Sequence, residues 1–395
     1  MAGTGGRWLE RTALTPSEKV KLMERDRNGA KPDCVIIGGY GKVGRYVVSY
    51  LQPKETYGRL YLVGRNPEKA SDLVRAHDNV EAVRFDSACP ESLTPHLRGA
   101  PDIVNCTDLP DVKLLRLLAD EGLCFVDLSA KATFWTQAKA LHEEVKRKET
   151  KVLLGAGLIP GLSNVFAKAA YEVLGDDASY HSSVSLSLFD KHGTAAVLHM
   201  LDELTTSQAY LTHRKLTFVS EGERRVYSFP FPEAQFYPQT LKAAQASTWL
   251  ELRPTPLNSV VRWLKAISAF RSLSDGGRAF VEHALTLMQP FTSEAETALT
   301  VNASKGDGHC TYSLYGKGEA RLTALVAVLM LEQFRTTPHR GVFLPEEVIG
   351  ASDLFASLRR SGSDLRLSIE EARGTRAADN KIARPEKSLN TATSF

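Results

Sequence analysis

The segment Cys34-Val-Ile-Ile-Gly-Gly-Tyr-Gly-Lys-Val-Gly44 constrains this chain more than any other. A short apolar run suited to a buried strand meets Gly39, Gly41 and Gly44 in the pattern G-x-G-x-x-G. Apolar residues at helical spacing then continue to Leu51. In a strand–turn–helix of this kind the first glycine permits the tight turn. The second lets the backbone approach a pyrophosphate, and the third lets the helix pack closely on the strand, with its N-terminus facing the negative charge. Tyr40, Lys42 and Val43 lie in the same loop and are cofactor-binding candidates with the three glycines.

The units that follow make the reading specific. Leu60–Val63, Ala82–Phe85, Ile103–Cys106, Phe125–Leu128 and Val152–Leu154 are further apolar runs. The stretches Val43–Leu51, Pro67–Arg75, Val112–Ala119 and Thr136–Lys148 carry helical periodicity between them. Strand and helix alternating in this way predict an α/β fold with a Rossmann-type, doubly wound parallel sheet over residues 31–160. After Gly157 the period shortens. Ser179–Phe189, Arg214–Val219, Arg224–Phe231, Glu296–Ser304 and Cys310–Tyr315 alternate as strands of a mostly antiparallel sheet, and Ala195–Leu211, Leu257–Leu273 and Arg278–Met288 read as helices. The expected plan is an inserted α+β substrate domain over 161–318, then C-terminal helices over 319–360, including Ala320–Phe334, that pack back on the core. Residues 1–30 form a polar extension with a short helix opening at Thr15-Pro16-Ser17-Glu18. Residues 361–395 lack periodicity and read as a disordered tail.

Composition narrows the class. At 395 residues, 43% hydrophobic and 24% charged, the chain can bury two ordinary cores. Its 49 basic and 46 acidic residues are interspersed, so neither nucleic acid nor an anionic membrane is an expected partner. Cys34, Cys89, Cys106, Cys124 and Cys310 are scattered without a C-x-x-C pair or nearby histidines. They predict neither a zinc site nor a disulfide framework, and suit a reducing, cytoplasmic setting. Ala324–Leu331, the longest apolar run, is too short to span a bilayer, and the N-terminus has no apolar stretch fit for a signal peptide.

The chemistry gathers at the strand ends, where such a sheet binds its ligand. About 20 residues beyond the last glycine an NAD site places an acidic residue on the ribose 2′-hydroxyl. This chain has Gly64-Arg65-Asn66 there. An acid would repel a 2′-phosphate, whereas the guanidinium of Arg65 pairs with one and Asn66 adds a donor, so NADP(H) is the expected cofactor. Asp86, Asn105-Cys106-Thr107 and Asp127-Leu128-Ser129 close the next three strands. They are candidates to line the cofactor, although each serves equally well as a cap or turn residue. Lys131 follows the fifth strand and suits an anionic substrate group. Pro160-Gly161 precedes Ser163 or Asn164 as N-cap of a helix Val165–Leu174, a second helix N-terminus at the crevice; Pro160, Gly161 and Asn164 are therefore substrate-binding candidates. In Phe189-Asp-Lys-His-Gly193 a strand gives way to a helix, which puts Asp190 and His192 where they could bind substrate or shuttle a proton. With Lys131 these are the catalytic candidates.

The glycine loop, Phe125-Val-Asp-Leu-Ser129 and above all Gly155-Ala-Gly-Leu-Ile-Pro-Gly-Leu-Ser-Asn164 resemble the saccharopine dehydrogenase-like reductases. Gly341-Val-Phe-Leu-Pro-Glu-Glu347 is similar to that family's closing segment, so the likeness spans roughly residues 33–362. Many relatives carry an acidic residue just after the Asp-x-Ser of the fifth strand, where this chain has Ala130-Lys131. The resemblance implies hydride transfer from NADPH to a C=N bond, as in an imine formed from an amino acid and a carbonyl compound. Enoyl or carbonyl reduction on another small molecule, and a non-catalytic NADP-binding scaffold or sensor, stay open at this point. The apolar region Leu250–Leu273 and Phe280–Phe291 offers a substrate tunnel or a homodimer contact.

Overall fold

In the computed structural model, residues 31–97, 101–187, 200–205, 209–219, 221–267, 295–362 and 364–372 are described. The expected N-terminal helix and the sites at Asp190 and His192 lie outside them.

The apolar runs of the first half become strands β1 (Cys34–Ile37), β2 (Leu60–Gly64), β3 (Val80–Arg84), β4 (Asp102–Asn105), β5 (Cys124–Asp127) and β6 (Lys151–Leu153). They pair in parallel in the order β6-β5-β4-β1-β2-β3. The order reverses between β1 and β4, so the crevice outside the carboxyl ends of these two strands is where such a sheet takes its ligand. A seventh strand, β13 (Gly341–Phe343), returns from the end of the chain and adds in parallel beside β6. Helix α1 (Lys42–Leu51) buries Gly44, Val47, Val48 and Leu51, one face at three- and four-residue spacing. The long apolar helix α9 (Glu319–Arg335) packs on α1. Its C-terminal end is fixed by the Lys151 ammonium, which donates to the carbonyls of Arg335 at 2.7 Å and Thr337 at 2.5 Å. A cation on the last carbonyls of a helix satisfies groups that have no intrahelical partner.

The second sheet runs β14-β12-β11-β7-β10-β9-β8, with β7 (Ser179–Ser187), β8 (His213–Phe218), β9 (Gly222–Ser228), β10 (Gln245–Arg253), β11 (Glu296–Lys305), β12 (Gly308–Lys317) and β14 (Arg366–Ala372). Every pairing is antiparallel except β7 with β10. Helix α6 (Leu162–Leu174) leads out of the first sheet and packs under β11 and β12, so one continuous apolar core joins the two sheets.

Four expectations are corrected. The helix after the Pro-Gly loop begins at Leu162, with Gly161 at its N-cap, because Asn164 Oδ1 reaches back to accept the Gly161 N–H at 2.9 Å. The expected helix Thr136–Lys148 is two, α4 (Ala132–Ala140) and α5 (His142–Arg147). The Leu141 N–H bonds the Ala138 carbonyl three residues back, which turns the chain and lets the His142 ring meet Val342 of β13. Residues 366–372, expected in a disordered tail, are strand β14, paired along β12. An edge strand has one polar, solvated side, and this one shows little apolar alternation. Finally, the second half of the chain contains a strand, β10, and a helix, α7 (Glu233–Thr240), that the apolar pattern did not reveal.

Candidate active site

The first βα turn is built by four glycines rather than three. Gly38, at φ +75°, stands where a Cβ would come within 2.5 Å of Thr107 Cγ2, so its lack of a side chain lets the ends of β1 and β4 close together. A Cβ on Gly39 would meet Leu62 at 2.8 Å, and one on Gly44 would meet Gly38 O at 2.4 Å. Gly41 differs. A Cβ there has only Gly38 O near it, at 3.0 Å, and faces open space on its other sides. Gly41 is the N-cap of α1, offers no side-chain acceptor, and the first turn carries no acidic residue. The helix's first amides therefore meet no competing anion from their own turn. Tyr40, Lys42 and Val43 are partly buried, and Val43 packs on the core.

At the end of β2, Arg65 and Asn66 are exposed. Arg65 forms no hydrogen bond or ion pair with any described residue. The Asn66 N–H donates to Tyr40 Oη at 2.8 Å. Arg45 ties the glycine loop to the following segment: it donates to Tyr40 O at 3.0 Å, Lys69 O at 2.6 Å and both carboxylate oxygens of Asp72, at 2.6 and 3.0 Å. These bonds hold the Asp72 carboxyl down at about 2. Asp86, beyond β3, is exposed and caps its own turn through the Ala88 N–H at 3.0 Å.

The ends of β4 and β5 form a closed polar network. Asn105 Nδ2 donates to Asp127 Oδ1 at 2.6 Å and to Thr107 O at 2.7 Å, Thr107 Oγ1 donates to Asn105 Oδ1 at 2.8 Å, and Ser129 Oγ donates to Asp127 Oδ2 at 2.5 Å. Asn105 and Asp127 are fully buried, so they hold the loops at the crevice floor. Burial pushes the Asp127 carboxyl up to about 7, against the hydrogen bonds from Ser129 and Asn105 that favour its ionised form. Desolvation, with the Asp127 charge nearby, pushes the Cys106 thiol up to about 12, so it stands in the site as a neutral group. Ser129 O accepts from Trp135 Nε1 at 3.2 Å, and the Trp135 ring fills the space over Gly155. Lys131, at the N-cap of α4, is exposed and its ammonium has no ion pair with any described residue.

The Pro-Gly loop lies beside this floor. The Ala156 N–H donates to Asp127 O at 2.7 Å, and Pro160, Gly161 and Asn164 are all buried. Two carboxyls that sequence reasoning passed over close on it from behind. Glu233, at the start of α7, accepts from Ser163 Oγ at 3.1 Å. Glu346, in the short helix α10 (Pro345–Val348), accepts from Asn164 Nδ2 and from Thr240 Oγ1, both at 2.8 Å. Burial pushes Glu233 up to about 8 and Glu346 up to about 7. Phe236 of α7 stacks obliquely on Trp135, 5.6 Å between ring centres, so α7 touches α4 beside the Ser129 loop. The only sequence cue to Glu346 was the Leu-Pro-Glu-Glu segment; Glu233 left none.

A glycine cradle open at Gly41, an acid-free helix start and an unpaired Arg65 at the ribose position fit a pyridine dinucleotide with a 2′-phosphate. Residues 34–153 match the family model of the saccharopine dehydrogenase NADP binding domain. These residues form a saccharopine dehydrogenase-like NADP binding domain. Among solved structures, the saccharopine dehydrogenase (L-Glu forming) of Saccharomyces cerevisiae, solved in its apo form, superposes with a TM-score of 0.61 at 12% identity. The match covers 86% of this chain and 100% of that one, and it places both sheets in the saccharopine dehydrogenase fold. GenD2 from gentamicin A biosynthesis, in complex with NAD, matches over 87% of this chain and 97% of its own at 12% identity, with a TM-score of only 0.41. No curated protein sequence matches. Among the described residues no group of histidines, cysteines or carboxylates is placed to hold a metal ion, and no helix is long and apolar enough to cross a membrane. The candidate site thus combines a glycine turn at the end of β1 with a buried polar network at β4 and β5.

Proposed function

We propose that the chain reduces a C=N bond in an imine derived from an amino acid, using NADPH. The observation that carries the reading is the unpaired, exposed Lys131 beside the rigid Asn105–Asp127–Ser129 floor, where the two domains meet. An imino acid carries carboxylates that need a cation, and Lys131 supplies one next to the hydride-accepting position. The full-length likeness to a saccharopine dehydrogenase named for forming L-Glu supports the same class of substrate. NADPH supplies the hydride when bound. Gly39, Gly41, Gly44 and the start of α1 hold its pyrophosphate, Arg65 and Asn66 its 2′-phosphate, and the loops at Cys106, Thr107 and Ser129 border the nicotinamide end. The buried network keeps those loops fixed, so the reactants meet without reorganisation of the protein. Because the acceptor is a protonated imine, its nitrogen needs no further proton as the carbon takes hydride. Asp190 and His192, which lie outside the described residues, are proposed to bind the substrate or exchange the proton that forms the iminium.

The test is loss of NADPH absorbance against three panels: amino acids mixed with carbonyl compounds, simple ketones and aldehydes, and enoyl thioesters. Turnover confined to the first panel supports the reading. Turnover only with ketones or enoyl compounds overturns it, and tight NADPH binding without oxidation by any panel returns the chain to a scaffold role.

A further inference from the structure

The loop residue between the first two glycines of the motif is not a spacer. Tyr40 sends its side chain across to the end of β2, where a Cβ on Gly64 would lie 2.2 Å from Tyr40 Oη. Glycine at 64 is what leaves room for the ring. The hydroxyl accepts the Asn66 N–H at 2.8 Å, so it is locked against the turn that carries Arg65. Its own proton has no acceptor among the described residues. On the other side of the loop, Arg45 pins the Tyr40 carbonyl and anchors itself on Lys69 O and Asp72. Backbone and side chain of Tyr40 are therefore both fixed, and one hydrogen-bond donor is left over at the turn that carries the unpaired Arg65.

We propose that Tyr40 reads the cofactor's 2′-phosphate together with Arg65, making the tyrosine hydroxyl a specificity-determining donor for NADP(H) over NAD(H). This rests on the assignment of the β2 end as the ribose subsite. A phosphate presents only acceptor oxygens, which both donors satisfy. A ribose 2′-hydroxyl also brings a donor, and the Gly64-Arg65-Asn66 turn offers it no carboxylate. A phenol held by a backbone N–H has its remaining proton directed away from that N–H at no further entropic cost, which is the pre-organisation a discriminating contact requires.

The experiment is fluorescence titration of the full chain with NADPH and NADH, and calorimetric titration with 2′,5′-ADP and 5′-AMP as minimal probes. Tyr40→Phe keeps the ring and removes only the hydroxyl. Losing a hydrogen bond to a charged group weakens binding roughly tenfold or more. Tyr40→Phe is therefore expected to raise the dissociation constants of NADPH and 2′,5′-ADP by that factor, while those of NADH and 5′-AMP change less than about twofold and the melting temperature of the cofactor-free protein holds. Gly64→Ala, which pushes the intact tyrosine off its seat, is expected to give the same selective loss. Equal weakening for both cofactors would make Tyr40 a shaper of the loop only, and unchanged NADPH affinity would remove it from the subsite; either result overturns the proposal. Absence of any NADPH preference in the unmutated protein would instead refute the ribose subsite itself, so the two failures are told apart.

Discussion

Glu346→Gln is expected to raise stability on the alkaline side of neutrality. Glu346 is 3% exposed, and burial pushes its carboxyl from an ordinary 4.5 up to about 7, although the bonds from Thr240 and Asn164 favour the ionised form. The folded-state value lies above the unfolded one. From about pH 4.5 to pH 7 the folded protein keeps a proton that the unfolded chain gives up, so stability falls as pH rises through that window and levels off above it. At about 1.4 kcal/mol per pH unit, the fall from this one group is on the order of 3 kcal/mol. Glutamine can replace it without stranding a partner. Its carbonyl oxygen can face Asn164 Nδ2 and its amide can face Thr240 Oγ1, which can turn its own proton to Phe236 O, 3.2 Å away. Melting curves for both proteins at pH 5, 6, 7 and 8 make the check. With roughly 2 °C per kcal/mol for a chain of this size, the variant's advantage should grow by about 6 °C from pH 5 to pH 8. Parallel curves would mean that Glu346 is ionised throughout and that its burial has not shifted it.

Three other perturbations separate the parts of the site. Arg65→Ala should weaken NADPH binding roughly ten- to a hundredfold and leave NADH binding near its original value, as read by cofactor fluorescence; equal losses would place the 2′-phosphate elsewhere. Gly41→Val should abolish NADPH binding with little change in melting temperature, whereas Gly38→Ala, at φ +75° and against Thr107, should lower stability by about 1–3 kcal/mol; the reverse pattern would relocate the phosphate cradle. Lys131→Met should raise KM for a carboxylate-bearing imine at least tenfold with NADPH affinity unchanged, an effect on the order of one charged hydrogen bond; an unchanged KM would free Lys131 from any substrate role.

The first sheet was legible because parallel strands covered on both faces must be apolar throughout. Cys34–Ile37, Ile103 and Val104, and Phe125 and Val126 are all essentially inaccessible. Strand β13 was not, since three residues carry no period and its place beside β6 is a tertiary fact. Strand β10 was hidden for a different reason. Its alternate positions Glu251 and Arg253 face an ion network with Glu221 and Arg224 under the β8–β9 hairpin, so the side that a solvated strand would expose is covered by charge rather than by apolar groups. Helix α7 has weak apolar periodicity and a proline at 238, which argues against a helix from sequence alone.

The same distinction runs through the site. A residue whose role follows from its own backbone position can be read from the chain: Gly44 needs no side chain because its nearest neighbours, Gly38 and Gly39, are a few residues away, and Arg65 is found by counting from the glycines. A residue whose role depends on what packs against it cannot. Asn164 looked like a substrate ligand on the strength of its place after Pro160-Gly161. In the fold its side chain is engaged with protein at both ends, its oxygen accepting from the Gly161 N–H and from Ser163 Oγ and its amide donating to Glu346, brought from the far end of the chain. Glu346 in turn accepts from Thr240 of α7. The Pro-Gly loop is therefore stitched to three separate elements through one asparagine and one carboxyl. Asn164→Ala would leave Glu346 buried with a single partner and Gly161 without its cap, a loss that strikes stability before it strikes chemistry. Because the loop also borders Asp127 through the Ala156 N–H, loosening it would unsettle the crevice floor as well. A fall in turnover in such a variant is evidence about substrate contact only after its melting temperature has been matched to that of the unmutated protein.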